Sequence, residues 1–573
     1  MTREFSARTR VEALAAMARE EFDLLVVGGG ITGAAVARDA CMRGMKVALV
    51  ERSDFASGTS SRSSKLIHGG LRYLENLEFR LVFEALSERA LLLRTVPHMV
   101  RPLPFYFPIY RGDAHGRLII GLGMFLYDLL ALFRTPGYHR RLSARAMLSE
   151  IPGLRAEGLR GGFQYYDASM WDDMLVIELL RDAIARGVRV ASYTEALEPL
   201  RGADPEGPVT GFRVRDLRDA RALPVEVRAR QVVVCAGPWT DELGRRLSPS
   251  WKPWLKPSKG THIVFDLARF RLPGAMVMSH PSDGRISFVI PRPDLGSGVT
   301  IVGTTDGPAP ADPARVEVSS DEVDYLLQLM DRYFRDLRIT RKDILSAYVG
   351  IRPLVGNDEE NAVVGGNPLA KVSREHEIIT GPGGAILVGG GKYTTHRKMA
   401  EEIVDYALAE ARKRGLRSDW GPAATEVPPN PAALGPAVVE ALASLEKQGM
   451  PTEAAAGLVS RYGAEGLEVV RLDREARLAS EGEALPEDPP GFPCLAGQLL
   501  FHLRHGGVMQ LEDFWFRRVP LFLARADHGL PWAEALSRLW ARELGLDEAA
   551  RDAGLGALRQ AVARARRGWS GPG

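Results

Sequence analysis

Gly28, Gly30 and Gly33 stand between a short apolar run, Phe22 to Val27, and a segment rich in small residues, Ala34 to Met42. A second apolar run, Lys46 to Val50, ends at Glu51. Few folds accommodate this order. Continuous apolar strands on either side of a helix belong to a parallel sheet covered on both faces. In the spacing Gly-x-Gly-x-x-Gly the first glycine permits a tight turn and the second lets the backbone approach a pyrophosphate. The third lets the helix pack close to the strand. The helix N-terminus favours negative charge at that point, and Glu51 is placed to accept hydrogen bonds from a ribose. The unit predicts a dinucleotide-binding α/β domain.

The α/β alternation continues with a helical pattern over Met174 to Ala185 and a strand at Val188 to Ser192. Gln231 to Val234 is a further buried strand, and Ala385 to Val388 runs into Gly389-Gly390-Gly391 before a helix from about Thr395. Between them, from Lys259 to Thr304, apolar and polar residues alternate with turns, which predicts an antiparallel sheet. Pro and Ala crowd the stretch around Pro422 to Pro436, a linker composition, and helical patterns follow it.

A chain of 573 residues exceeds what one core organises. The expected division is an N-terminal helical extension over 1–21, a Rossmann-like domain from 22–105, 160–260 and 365–407, an antiparallel-sheet substrate domain from 106–159 and 261–364, a linker at 408–430, and a C-terminal helical domain over 431–573.

The formal net charge of +2 supplies no field to attract nucleic acid. Cys41, Cys235 and Cys494 are far apart with no CxxC pair, which leaves no disulfide framework, thiolate zinc site or iron–sulfur cluster. The N-terminus has no signal-peptide pattern, so a cytoplasmic protein is expected. The longest apolar run, Leu118 to Phe133, is too short to span a bilayer and contains Asp128. With Arg111, Arg117, Arg134, Arg140 and Arg141 around it, it fits an interfacial helix or a buried one.

After Glu51 the loop Ser57-Gly58-Thr59-Ser60-Ser61-Arg62-Ser63-Ser64-Lys65 packs hydroxyls and backbone donors where a pyrophosphate and a ribityl chain could be wrapped. It continues as Leu66-Ile67-His68-Gly69-Gly70-Leu71-Arg72-Tyr73, which is not linker composition. In SSKLIHGGLRYLE (Ser63 to Glu75) and FRLVFEAL (Phe79 to Leu86), and again in AGPWTDEL (Ala236 to Leu243), KGTHIVF (Lys259 to Phe265), VGTTD (Val302 to Asp306), GIRPL (Gly350 to Leu354), VSREHEI (Val372 to Ile378) and GGKYTTHRKMAEE (Gly390 to Glu402), the chain resembles the FAD-dependent glycerol-3-phosphate dehydrogenases of the aerobic, quinone-linked type. The resemblance covers about Phe22 to Ala407. It weakens beyond the linker, where Leu511 to Arg518 is similar but Val519-Pro520 departs from the usual continuation.

The resemblance implies oxidation of glycerol 3-phosphate to dihydroxyacetone phosphate on FAD; with no recognised attachment motif, the FAD is expected to be noncovalent. It implies cofactor contacts from Gly28, Gly30, Gly33, Glu51, Thr59 and Ser60, then from Ser61, Ser64, Lys65 and Leu66. On the far side it implies Gly237, Gly391, Lys392, Thr394 and Thr395. A phosphate dianion is best matched by guanidinium groups. Arg72, Arg352 and Arg374 are the arginines in the family-like motifs, with His68 and Tyr73 beside the first. For the proton on the substrate hydroxyl, His262 is the favoured base, with Lys392 and His68 the other candidates. Asp306 is expected to orient local backbone. The chain encodes no second redox centre, so electrons must leave by a diffusible acceptor. The resemblance points to membrane quinone and peripheral attachment on the inner face of the cell membrane; oxygen is the alternative acceptor, and a homodimer is a further expectation.

Overall fold

The structure is a computed structural model that describes residues 4–70, 74, 78–113, 115–204, 206–270, 272–280, 283–356, 376–479 and 485–569. Two sheets and a helical C-terminal region are built around the site.

The first sheet has the parallel order 386–390, 225–234, 21–27, 47–50 and 189–191 at its centre. Leu24 to Val27 pair with Val47 to Val50 on one side and with Gln231 to Val234 on the other. Both faces of these strands are buried, which accounts for their unbroken apolar runs. Helix Ile31–Met42 lies close against them because Gly33 has no side chain: a Cβ there would come within 1.9 Å of the Gly28 carbonyl oxygen. Gly28 adopts φ +115°, and its own Cβ would meet the Cys235 carbonyl oxygen at 2.4 Å. The carboxyl ends of four parallel strands thus open on one crevice, where ligands bind in open α/β sheets.

The second sheet is mostly antiparallel. Its strand order is 307–308, 258–266, 299–303, 286–292, 275–279, 100–110, 159–170 and 66–67, with 344–352 also paired to 258–266. Strands Leu66–Ile67, Val100–Tyr110 and Leu159–Met170 therefore belong to this sheet, although the sequence division put 66–67, 100–105 and 160–170 with the first unit. Their partners are remote in sequence, Leu103 facing Asp167 for example, and periodicity carries no information on such pairing.

The N-terminal helix Ala7–Met17 is integrated rather than an extension: it buries Ala13, Ala16 and Met17, and Arg10 pairs with Asp216. Helix His396–Lys413 runs past the expected domain end at 407, and helix Gly435–Lys447 starts within the Pro/Ala-rich stretch. The C-terminal helices are tied back to the first sheet by Arg517 and Arg518, which both bond the buried carboxylate of Asp54. All three cysteines are free; Cys235 and Cys494 are buried and Cys41 is half-buried.

Helix Arg117–Leu130 turns Met124, Tyr127 and Asp128 inward. Leu118 is 89% exposed, Leu122 69% and Phe125 52%, with Ile119, Leu129, Leu132 and Phe133 also outward. This is not the burial pattern of a core helix. Among the described residues no helix is long and apolar enough to cross a membrane.

Candidate active site

A cleft of about 450 Å³ runs from the glycine turn, along the crevice between the sheets, to the turn after strand Ile386–Gly390. At one end Gly30 caps helix Ile31–Met42 without a side chain, and Ser60 Oγ accepts the Ile31 N–H at 2.9 Å. The Glu51 carboxylate accepts the N–H of Gly29 at 2.6 Å and of Ser53 at 2.7 Å. Burial raises the Glu51 carboxyl above its usual range, and those two donors oppose the rise. Glu51 lines the cleft, and a carboxylate has lone pairs beyond those two bonds with which to accept from a ribose diol.

At the other end, His262 lies on strand Ser258–Asp266 opposite Gly303 on one neighbour and Tyr348 on the other. A Cβ on Gly303 would fall 2.2 Å from the imidazole, so the glycine makes room for the ring. Tyr348 stacks on its other face with centroids 4.7 Å apart and planes 8° from parallel. His262 Nε2 lies 2.9 Å from Ser64 Oγ, and the buried Nδ1 has no hydrogen-bond partner among the described residues. Burial, with the charges of Arg352 and Lys65, pushes this histidine down to about 3, so the ring is neutral at working pH.

Arg352 ends strand Ile344–Arg352 and aims across the sheet. Its guanidinium donates to Thr304 Oγ1 at 2.9 Å, the Thr305 carbonyl at 3.1 Å and Asp306 at 3.2 Å. Gly260 leaves the space it occupies, since a Cβ there would sit 2.3 Å from its terminal nitrogen. Lys392 and Thr394 enter from the turn Gly390–Gly391, where both glycines have positive φ. An extended cleft with a side-chain-free helix N-terminus at one end and cationic groups at the other fits a dinucleotide whose redox ring meets an anionic substrate.

Residues 23–406 match the FAD dependent oxidoreductase family model, and residues 384–551 match the C-terminal domain of alpha-glycerophosphate oxidase. The aerobic glycerol-3-phosphate dehydrogenase of Bacillus subtilis is 36% identical over 426 residues, 74% of this chain and 74% of that protein. That of Staphylococcus saprophyticus is 31% identical over 560 residues, 96% of each. The chain belongs to the FAD-dependent glycerol-3-phosphate dehydrogenases. The structure of the glycerol-3-phosphate dehydrogenase from Bacillus halodurans complexed with FAD matches at a TM-score of 0.78 and 30% identity, covering 98% of each chain.

In this glycerol-3-phosphate dehydrogenase fold, Gly28, Gly30, Glu51, Thr59, Ser60, Ser64, Leu66, His68 and Gly237 line the same cleft as His262, Arg352, Gly391, Lys392 and Thr394. Four of the expected cofactor residues do not line it. Gly33 acts behind the turn, through helix packing. The Lys65 ammonium turns away into a buried ion pair with Asp172, which also accepts from Ser63 Oγ at 2.7 Å. Thr395 is buried at the start of the following helix, and Ser61 offers its carbonyl to Lys65 at 3.3 Å. Hydroxyls in the cleft are already engaged, as with Ser64 at His262: Ser60 caps the helix, and Thr59 donates to the Ile351 carbonyl at 2.6 Å. These bonds hold the loop to helix Ile31–Met42 and to strand Ile344–Arg352 of the second sheet. Arg72, Tyr73 and Arg374 lie outside the described residues.

Sequence reasoning assigned no role to Asp172 and left Asp306 to the backbone. Asp172 organises Ser63 to Lys65, and Asp306 is the counter-ion of Arg352. The VGTTD motif contained the second signal, a carboxylate in a segment rich in family-like residues.

Proposed function

We propose that the protein oxidises sn-glycerol 3-phosphate to dihydroxyacetone phosphate with noncovalently bound FAD. The observation that carries this reading is the convergence of Arg352, His262 and Lys392 in one cleft continuous with the Gly28–Gly30 turn. Gly28, Gly30 and Glu51 would hold the adenylate half of the cofactor, and the Gly390–Lys392 turn would face its ring. When bound, FAD supplies the two-electron acceptor for the hydride leaving C2.

The residues of the chain do the remaining work. Arg352 binds the phosphate, held in orientation by Thr304 and Asp306. His262, neutral and stacked on Tyr348, accepts the proton of the C2 hydroxyl. Phosphate binding offsets the Arg352 charge, one of the groups that holds His262 down, so substrate arrival makes this base stronger. Lys392 supports negative charge that develops on the substrate oxygen.

Electrons then pass to membrane quinone, and the exposed apolar face of helix Arg117–Leu130 docks in the lipid interface with its arginines towards anionic headgroups. Oxygen is the alternative acceptor. The test is an anaerobic titration of the purified yellow protein with glycerol 3-phosphate. Bleaching of the flavin band supports the reading, and an unchanged spectrum contradicts it. Peroxide yield against quinone reduction in air then separates the acceptors.

A further inference from the structure

His68 and Gly69 are gripped from opposite sides. The His68 N–H donates to Thr394 Oγ1, on the cleft wall, at 3.3 Å. The next amide, Gly69 N–H, points away from the cleft and donates to Tyr127 Oη at 2.9 Å, with Asp167 Oδ1 at 3.3 Å. Tyr127 Oη in turn donates to the Asp167 carboxylate at 2.8 Å, and Arg89 pairs with the same carboxylate. All three side chains are buried, Arg89 to 0% exposure. A Cβ on Gly69 would come within 2.6 Å of both Tyr127 Oη and Leu86 Cδ2, so the glycine exists for this contact.

A buried charged pair on a hydrogen-bonded backbone amide is a costly arrangement to maintain and is sensitive to loss of any one member. Apolar side chains would fill the same volume more stably, so the polar chain points to a requirement for direction rather than for packing. The amide it directs belongs to the segment that carries His68 into the cleft.

We infer that Tyr127, oriented by Asp167 and Arg89, is a positioning residue for the substrate site, setting the backbone at Gly69 and through it the place of His68. The inference rests on the reading of His68 as a substrate-site residue. Burial and then the Asp167 charge raise Tyr127 well above its ordinary value, so its hydroxyl stays a donor throughout the working range. Tyr127 also belongs to helix Arg117–Leu130, whose outward side carries the exposed Leu118, Leu122 and Phe125.

Tyr127→Phe keeps the ring and removes only the hydroxyl. In the purified FAD-loaded full chain it should raise KM for glycerol 3-phosphate by about three- to tenfold, the scale of the neutral Gly69 N–H bond that the hydroxyl accepts, with kcat and flavin content nearly unchanged. His68→Ala, measured beside it, should raise KM at least as much. A fall in Tm for Tyr127→Phe with KM and kcat both at wild-type values would mean a purely structural role and would overturn the proposal. If His68→Ala raises KM under that condition, the site reading stands without Tyr127. If neither variant moves KM, the placement of His68 in the substrate site fails as well.

Discussion

The Arg352 guanidinium donates to the Asp306 carboxylate at 3.2 Å, and Arg285 approaches the same carboxylate at 3.7 Å. Its charge is thus shared before any phosphate reaches it, while its direction is set. Asp306→Asn keeps an acceptor for Arg352 and removes a negative charge that opposes a dianion. It should lower KM for glycerol 3-phosphate by about two- to fivefold, the scale of a partly exposed ion pair. Asp306→Ala removes both functions and should raise KM. Steady-state kinetics of the two variants decides: an equal rise in both would show that only orientation matters.

His262 makes a prediction with a definite sign. Its folded value of about 3 lies below the ordinary 6.5, so the unfolded chain binds the extra proton first. The stability gained by burying the neutral ring is present above about 6.5 and is lost on acidification towards about 3. His262→Gln lacks this loss. The Tm difference between wild type and variant should therefore move in favour of the variant between about pH 7 and about pH 4.5. As general base, His262 should also cost about a hundredfold or more in kcat when replaced. A parallel pair of Tm curves would contradict the neutral burial.

Gly30→Val places a branched side chain where a Cβ would lie only 3.1 Å from Ser60 Oγ and where the pyrophosphate must approach. The purified variant should be colourless, with far-ultraviolet circular dichroism like wild type. Full flavin occupancy would refute the placement of the cofactor's phosphates.

Phe125 and Leu129 lie on the outward face of helix Arg117–Leu130. Replacing both with Ser should shift the enzyme from the membrane to the soluble fraction, because about 1.5–3 kcal/mol of apolar burial is lost per large side chain. Activity with a water-soluble dye should survive. Unchanged sedimentation with membranes would remove this face from the docking surface.

What could be read in the residues alone follows the range of the interactions. Gly28, Gly30, Gly33 and Glu51 act within one β-α-β unit, so local spacing exposed them. His262 and Arg352 reach the cleft from strands far apart in the chain, and only resemblance to a family singled them out. The partner of a charged side chain was not legible. Lys65 was expected at the cofactor and instead pairs with Asp172, a choice made by tertiary packing. The apolar run at Leu118 predicted a helix, but both faces are rich in apolar residues, and only the packing of Met124 and Tyr127 decides which one is inward. The transfer of residues 66–67, 100–105 and 160–170 to the second sheet has the same origin, since pairing partners leave no mark on periodicity.

The central claim is that the cationic end of the cleft recognises the phosphate of glycerol 3-phosphate through Arg352. The direct measurement is the rate of flavin reduction under anaerobic conditions for wild type and Arg352→Ala, with glycerol 3-phosphate and with glycerol. A charged hydrogen-bond pair of about 1.5–3 kcal/mol corresponds to roughly ten- to hundredfold in kcat/KM. The variant should lose that factor on glycerol 3-phosphate, retain its flavin, and reduce as slowly as wild type on glycerol. An equal proportional loss on both substrates would place Arg352 at the reacting carbon or in the fold, and would contradict the assignment.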